Sequence, residues 1–393
     1  MKRSLVIIGA GIVIIAAEFF LLRFVSRAAS VVKRGEPPVR SASPVATMVP
    51  AVPPRFVRGI HCTAWAFATP SYRVEFERLV RETEINTLVV DVKESLGEVY
   101  VPGVPSCEEF GTYVPVIPDL ESYVARLRAE GVYLIARIVV FKDDRLALLK
   151  PAWAVKDVRG GSWRDNKGKR WLDPFVREVR DYHAEIAERA LALGFHEIQF
   201  DYIRFPSDGP ISRCVYREPF SGERASEALT AFLSSAGRRI KAKGGNLSID
   251  VFGLTTTAED DMGIGQRLTV LTPLVDAVSP MVYPSHYARG SYGIRNPDAE
   301  PYLTVFRGLS DARRKLGAES VKLRPFLQDF SLGCRYGPRE VRAQIEACYA
   351  NDVGQWLLWN PRCMYTNEAV LGNGAENDYQ RPAAAPAPVT GNP

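Results

Sequence analysis

The chain has 393 residues, 46% of them hydrophobic and 24% charged, and its 50 Lys and Arg against 45 Asp and Glu leave a formal net charge of +5. That is the composition of a globular protein able to bury a core. With so small an excess of charge, and no dense basic block interleaved with aromatics, it excludes nucleic acid as an expected partner.

Met1-Lys2-Arg3 precedes an apolar run from Leu5 to Leu22 that only Glu18 interrupts. Roughly 18 apolar residues are long for a secretory leader and enough to span a bilayer. Residues 1–30 are therefore expected to form an uncleaved signal anchor, a single transmembrane helix. Arg23, Arg27, Lys33 and Arg34 beyond the run favour the opposite orientation by the positive-inside rule. The main domain is nevertheless expected outside the cell membrane, because the function argued below needs an external polymer. Residues 31–54 are rich in Pro, Ser, Ala and Val and read as a linker. Residues 373–393, with Pro382, Pro386, Pro388 and Pro393, read as a disordered tail. Between them, 55–372 contains no second linker and no solenoid repeat, so one domain is expected.

Inside that domain short apolar runs alternate with amphipathic stretches. Strands are predicted at Phe56–Cys62, Asn86–Val92, Tyr133–Phe141, Glu197–Phe205, Leu247–Phe252, Asp276–Val282, Lys322–Phe330 and Gly354–Trp359. Helices are predicted at Tyr72–Thr83, Leu120–Glu130, Arg177–Leu193, Ala225–Ala242, Ile264–Leu271, Pro301–Leu316 and Arg339–Tyr349, with a short or irregular one last. Strands separated by helices imply a parallel sheet, and eight such units fit a closed (β/α)8 TIM barrel. No Gly-rich nucleotide cradle follows any strand. Two long connections, Lys93 to Pro118 and Lys142 to Phe175, leave the ends of strands where barrel active sites sit.

Six cysteines, an even number, permit disulfides but show no C-x-x-C spacing. Four histidines without H-x-x-H or H-E-x-x-H give a metal centre little to build on, so no metal and no cofactor are expected.

Side chains at strand C-termini crown a barrel mouth. Carboxylates recur there: Asp91, Asp201, Asp250 and Asp329. One buried Asp is usually a structural residue, but four at equivalent positions converge on one opening. Period-two alternation puts Gln199, Asp201 and Ile203 on one face, Ser248, Asp250 and Phe252 on one face, and Asp91 with Lys93 on one face. Glycoside hydrolysis needs one carboxylic acid and one carboxylate, and no cofactor. Asp201 is the expected nucleophile or base, oriented by Arg204 or Arg137. Asp250 is the first choice as acid, with Asp329, Asp91 and Glu94 as substitutes. Lys93, Glu94, Arg137, Arg204, Trp65, Tyr283, His286 and Trp359 are the expected substrate-binding residues. Trp163 and Trp171, in a long polar loop, are expected to be sugar platforms rather than core, whereas Tyr202 and Trp356 are expected in the core.

Arg58-Gly59-Ile60-His61, Val90-Asp91-Val92-Lys93, Asp173-Pro174, Phe200-Asp201-Tyr202-Ile203-Arg204-Phe205-Pro206 and Ser279-Pro280-Met281-Val282-Tyr283-Pro284 together resemble the bacterial putative glycosyl hydrolase domain family. The resemblance runs from about Arg55 to Asn360. It implies a TIM barrel distantly like the α-amylase type and cleavage of an extracytoplasmic glycan, with Asp201 at the position such families use on their fourth strand. The fifth strand carries Asp250 where the α-amylase type has a Glu acid. Two other readings share these residues: a barrel that binds cell-wall glycan without cleaving it, and a lyase or aldolase using Lys93 as a Schiff-base amine.

Overall fold

A computed structural model describes residues 53–372. The expected anchor, all of the linker through residue 52 and the expected tail lie outside the described residues. Among the described residues no helix is long and apolar enough to cross a membrane.

Eight parallel strands close a barrel: β1 (Arg58–Cys62), β2 (Thr87–Lys93), β3 (Tyr133–Val139), β4 (Glu197–Asp201), β5 (Asn246–Phe252), β6 (Ala277–Met281), β7 (Phe326–Gln328) and β8 (Trp356–Trp359). Each strand pairs with its neighbours in sequence, and β8 returns to β1 through Arg58 opposite Trp356. The principal helices are α1 (Pro70–Glu82), α2 (Leu120–Ala129), α3 (Arg177–Leu193), α4 (Gly222–Ala242), α5 (Leu268–Leu271), α6 (Pro301–Leu316) and α7 (Pro338–Tyr349). Proline at the first helical turn opens α1, α6 and α7, where its missing N–H costs nothing. Ser221 caps α4 by accepting from the Arg224 N–H at 3.2 Å, which starts that helix three residues before its expected beginning.

The strands are buried on both faces, as a barrel sheathed in helices requires. Leu88, Val90, Val92, Leu134, Ala136, Ile138, Ile198 and Phe200 belong to the large core beneath the helices, while Val57, Val89, Tyr133, Ile135, Phe326 and Leu357 fill the barrel itself. The alternation predicted for β4 and β5 holds.

For β2 it does not. Asp91 pairs with Arg137, but Lys93 pairs with the next residue, Ile138, so Val92 is an extra residue in a β-bulge. Because side chains alternate with period two, one inserted residue exchanges the faces of everything after it. Asp91 points into the barrel, and Lys93 turns out beneath the helices. There it is fully buried, pairs with Asp143 at 2.8 Å and donates to the Val139 carbonyl at 2.7 Å.

Three further expectations change. β4 ends at Asp201 rather than Phe205 because Tyr202 takes a left-handed backbone, φ 51°. Trp163 and Trp171 are fully buried; their indole N–H groups donate to the Pro210 carbonyl at 3.0 Å and to Asp165 at 3.2 Å, so the loop that carries them folds over its own aromatic core. Trp356 is core as expected, whereas Tyr202, expected in the core, lies half-buried against its edge. All six cysteines are unbridged.

Candidate active site

The strand ends place the expected carboxylates around one guanidinium. Arg137, the inward residue of β3, donates from Nη1 to Asp91 Oδ1 at 2.6 Å and from Nη2 to Asp201, and its Nε lies 3.5 Å from Asp250 Oδ2. Burial alone would lower its pKa, but the three carboxyl groups outweigh that and keep it a cation. Asp201 also accepts from the Tyr202 N–H at 2.5 Å. That bond and the left-handed Tyr202 fix the carboxylate where β4 stops. A non-glycine residue at positive φ stores strain of the kind found at functional sites.

Asp91 carries a second partner, His61 Nε2 at 2.9 Å. Burial pushes the Asp91 carboxyl up, but His61 and Arg137 beside it hold it below the usual range. Burial lowers the His61 pKa, so the ring is neutral near pH 7. The ring stacks on Trp359 with centroids 3.9 Å apart, and Arg137 lies 5.1 Å over the same indole. Reading the sequence by carboxylates missed His61 as a member of the site. Its signal was its place at the C-terminal end of β1.

Asp250 differs from Asp91. It is 1% exposed, its Oδ1 has no hydrogen-bond partner, and burial followed by the Asp201 charge pushes its pKa well above the ordinary range. Its carboxyl therefore holds a proton more tightly than a free one does. Tyr283 is buried beside both, since burial and then the Asp250 and Asp201 charges raise its hydroxyl well above the usual value.

The other candidates are dispersed. Asp329 follows β7 and accepts from the Thr366 N–H at 2.8 Å and the Thr366 hydroxyl at 2.6 Å, tying down the segment after β8. Arg204 lies over Trp171, Tyr202 and Phe252 and donates to Ser207 Oγ at 3.0 Å. His286 packs against Tyr283 and Phe330, and burial brings its pKa down to about 4. Trp65 stands 54% exposed in the short helix Ala64–Ala68 after β1, available as a platform. Lys93 sits outside the barrel wall, which leaves the amine-based route without a nucleophile at the mouth. Among the described residues no group of three or more His, Cys, Asp or Glu is placed to hold a metal ion.

Residues 59–365 match the family model described as "Putative glycosyl hydrolase domain". No curated protein matches the chain. Among solved structures, the glycoside hydrolase domain of PgaB (BpsB) from Bordetella bronchiseptica is similar at a TM-score of 0.57 and 14% identity, over 78% of this chain and 94% of that one. The α-L-fucosidase isoenzyme 2 of Paenibacillus thiaminolyticus is similar at 0.53 and 14% identity, over 80% of this chain and 48% of that one. A hypothetical protein from Ruminiclostridium thermocellum is 34% identical over 49% of this chain and 97% of its own length, at a TM-score of 0.44. At 14% identity, the first two show a shared barrel fold alone.

Proposed function

This chain belongs to the glycosyl hydrolase family whose model spans 59–365, and from that premise we propose that it cleaves glycosidic bonds with carboxyl groups gathered around Arg137. The observation that carries the reading is the imbalance at the mouth: three carboxyl groups share one guanidinium, and the most deeply buried of them has its pKa pushed well up. Such a set supplies both forms that hydrolysis needs, a carboxylate and a carboxylic acid.

Asp201 acts as nucleophile or base. Arg137 and the Tyr202 N–H orient its oxygens, and Trp359, partly exposed above His61, offers an apolar face to a sugar ring. Of the carboxyls with a raised pKa, two act on the Arg137 cluster: Asp250 beside Asp201, and Glu94 just past the β2 bulge, pushed up to about 8 by burial and the nearby Asp91 charge. The substrate is an extracytoplasmic poly- or oligosaccharide, and the chain is held at the cell membrane by its N-terminal apolar run. The length and continuity of Leu5 to Leu22 support that placement.

The test is a screen of the protein on α- and β-linked glucans, chitin and peptidoglycan, with Asp201→Asn alongside. Wild-type turnover that the variant loses supports the reading. Glycan binding without turnover by the wild type would make this a binding barrel instead.

A further inference from the structure

Glu94 follows the extra residue of β2. Regular alternation would send Lys93 into the barrel and Glu94 out beneath the helices. The bulge reverses both. Lys93 is taken up by Asp143, and Glu94 comes to the mouth side, where the groups acting on it are Asp91 and Arg137 from the strands, Glu98 and Tyr100 from its own loop, and Cys363 beyond β8.

The chain then doubles back at once. The Glu94 N–H donates to the Glu98 carbonyl at 3.2 Å, the Gly97 N–H donates to the Glu94 carbonyl at 2.9 Å, and Lys93 bridges Val99 in antiparallel fashion. Gly97 has φ +89°, and a Cβ there would meet Asp143 Oδ1 at 2.1 Å. The Lys93–Asp143 pair therefore clamps the turn that presents Glu94. Asp250 is 1% exposed and Asp201 5%, whereas Glu94 is only partly buried. Of the two carboxyls with raised pKa at this cluster, Glu94 is the one more open to a leaving-group oxygen.

We propose that Glu94 is the general acid of this mouth, set in place by the β2 bulge, with Asp250 a positioning residue behind Asp201 and Arg137. This deepens the carboxylate reading above and rests on it. As the bond between the anomeric carbon and the glycosidic oxygen breaks, both its electrons go to that oxygen. The oxygen takes the Glu94 proton and leaves as an alcohol. The anomeric carbon is captured by the Asp201 carboxylate, or by water that gives its proton to Asp201. In the first case Glu94 regains its proton from the water that later opens the ester. In the second, solvent exchange returns the two carboxyls to their starting states.

The experiment compares the full chain as wild type, Glu94→Gln, Asp250→Asn and Asp201→Asn. Each is assayed on the polysaccharide that the wild type cleaves and on the matching 2,4-dinitrophenyl glycoside, whose leaving group needs no proton. Glu94→Gln is expected to lose about 10²- to 10⁴-fold on the polysaccharide and little on the activated glycoside. The alkaline limb of the wild-type pH profile, expected near the Glu94 value of about 8, should vanish with it. Infrared difference titration gives a readout without turnover: a protonated-carboxyl component that titrates near 8 and is missing from Glu94→Gln, whatever Asp250 contributes beside it. Equal loss on both substrates, an unchanged band, or the selective loss appearing in Asp250→Asn instead would overturn the assignment. Full polysaccharide activity in Glu94→Gln beside a dead Asp201→Asn would overturn the acid and leave the Asp201 reading intact. An active Asp201→Asn would overturn that reading itself.

Discussion

The barrel holds two buried arginine–carboxylate clusters, one at each end, and they are built to opposite rules. At the bottom, Arg324 meets Glu197 one to one. The Glu197 oxygens also accept from the Tyr133 hydroxyl at 3.0 Å and from Ser248, and Asn246 donates to the same Tyr133 at 2.9 Å. Each Glu197 oxygen has two donors, although Arg324 Nε, like Arg137 Nε at the mouth, has no hydrogen-bond partner. At the mouth, Arg137 is shared among three carboxyl groups, Asp250 Oδ1 has no partner, and Glu94 crowds the rim. A fully bonded carboxylate rigidifies a core, and a carboxyl left short of donors is the kind that exchanges protons. The contrast separates the structural end of this barrel from its chemical end without reference to any ligand.

The largest effect that would break the contrast is at Asp201. Asp201→Asn should lower turnover by about 10³-fold or more while thermal unfolding stays close to wild type, as steady-state kinetics and calorimetry would show. Next are the two arginines. Arg137→Met and Arg324→Met each strand a buried carboxylate and should cost about 3–5 kcal/mol in chemical denaturation. Pairing Arg324→Met with Glu197→Gln should recover much of that loss and keep activity. Pairing Arg137→Met with Asp91→Asn should not restore activity, because Asp201 loses its orienting partner. If both arginines proved equally dispensable for turnover in folded protein, the contrast would collapse.

Gly97→Ala should cost about 1–3 kcal/mol through its positive φ and the Asp143 contact, and should reduce activity along with stability. A pH effect follows from Glu94. Its carboxyl sits near 8 when folded against an ordinary 4.5, so the folded state holds the proton more tightly. The stability it contributes is complete below about pH 4.5, falls as pH rises, and is gone above about 8. Glu94→Gln should flatten that part of the stability profile in denaturation across pH 4 to 9. The smallest effect is at Trp65, which is 54% exposed. Trp65→Ala should shift stability by less than about 0.5 kcal/mol while raising KM if the ring is a sugar platform.

Much of this was legible beforehand. The eight strand–helix units showed as alternating periods. Asp91, Asp201, Asp250 and Arg137 were found because strand C-termini crown a barrel, and the structure gathers those four. Asp329 obeyed the same rule yet was drawn off by Thr366, a contact made across 37 positions of sequence. Trp163 and Trp171 were misread because a polar loop gives no sign that it will fold over its own indoles. His61 was overlooked because nothing local to it shows that its ring will meet Asp91, thirty positions away.

The sequence by itself determined the barrel, since apolar spacing selects strand or helix locally and repetition of the unit leaves little choice of topology. It also marked the aspartates at the C-terminal ends of β2, β4 and β5. Tertiary structure alone decided which charges meet and which way they face at the end of β2. Val92 is an extra residue only relative to the register of β3, and one residue of offset is what separates a buried structural lysine from a glutamate at the mouth.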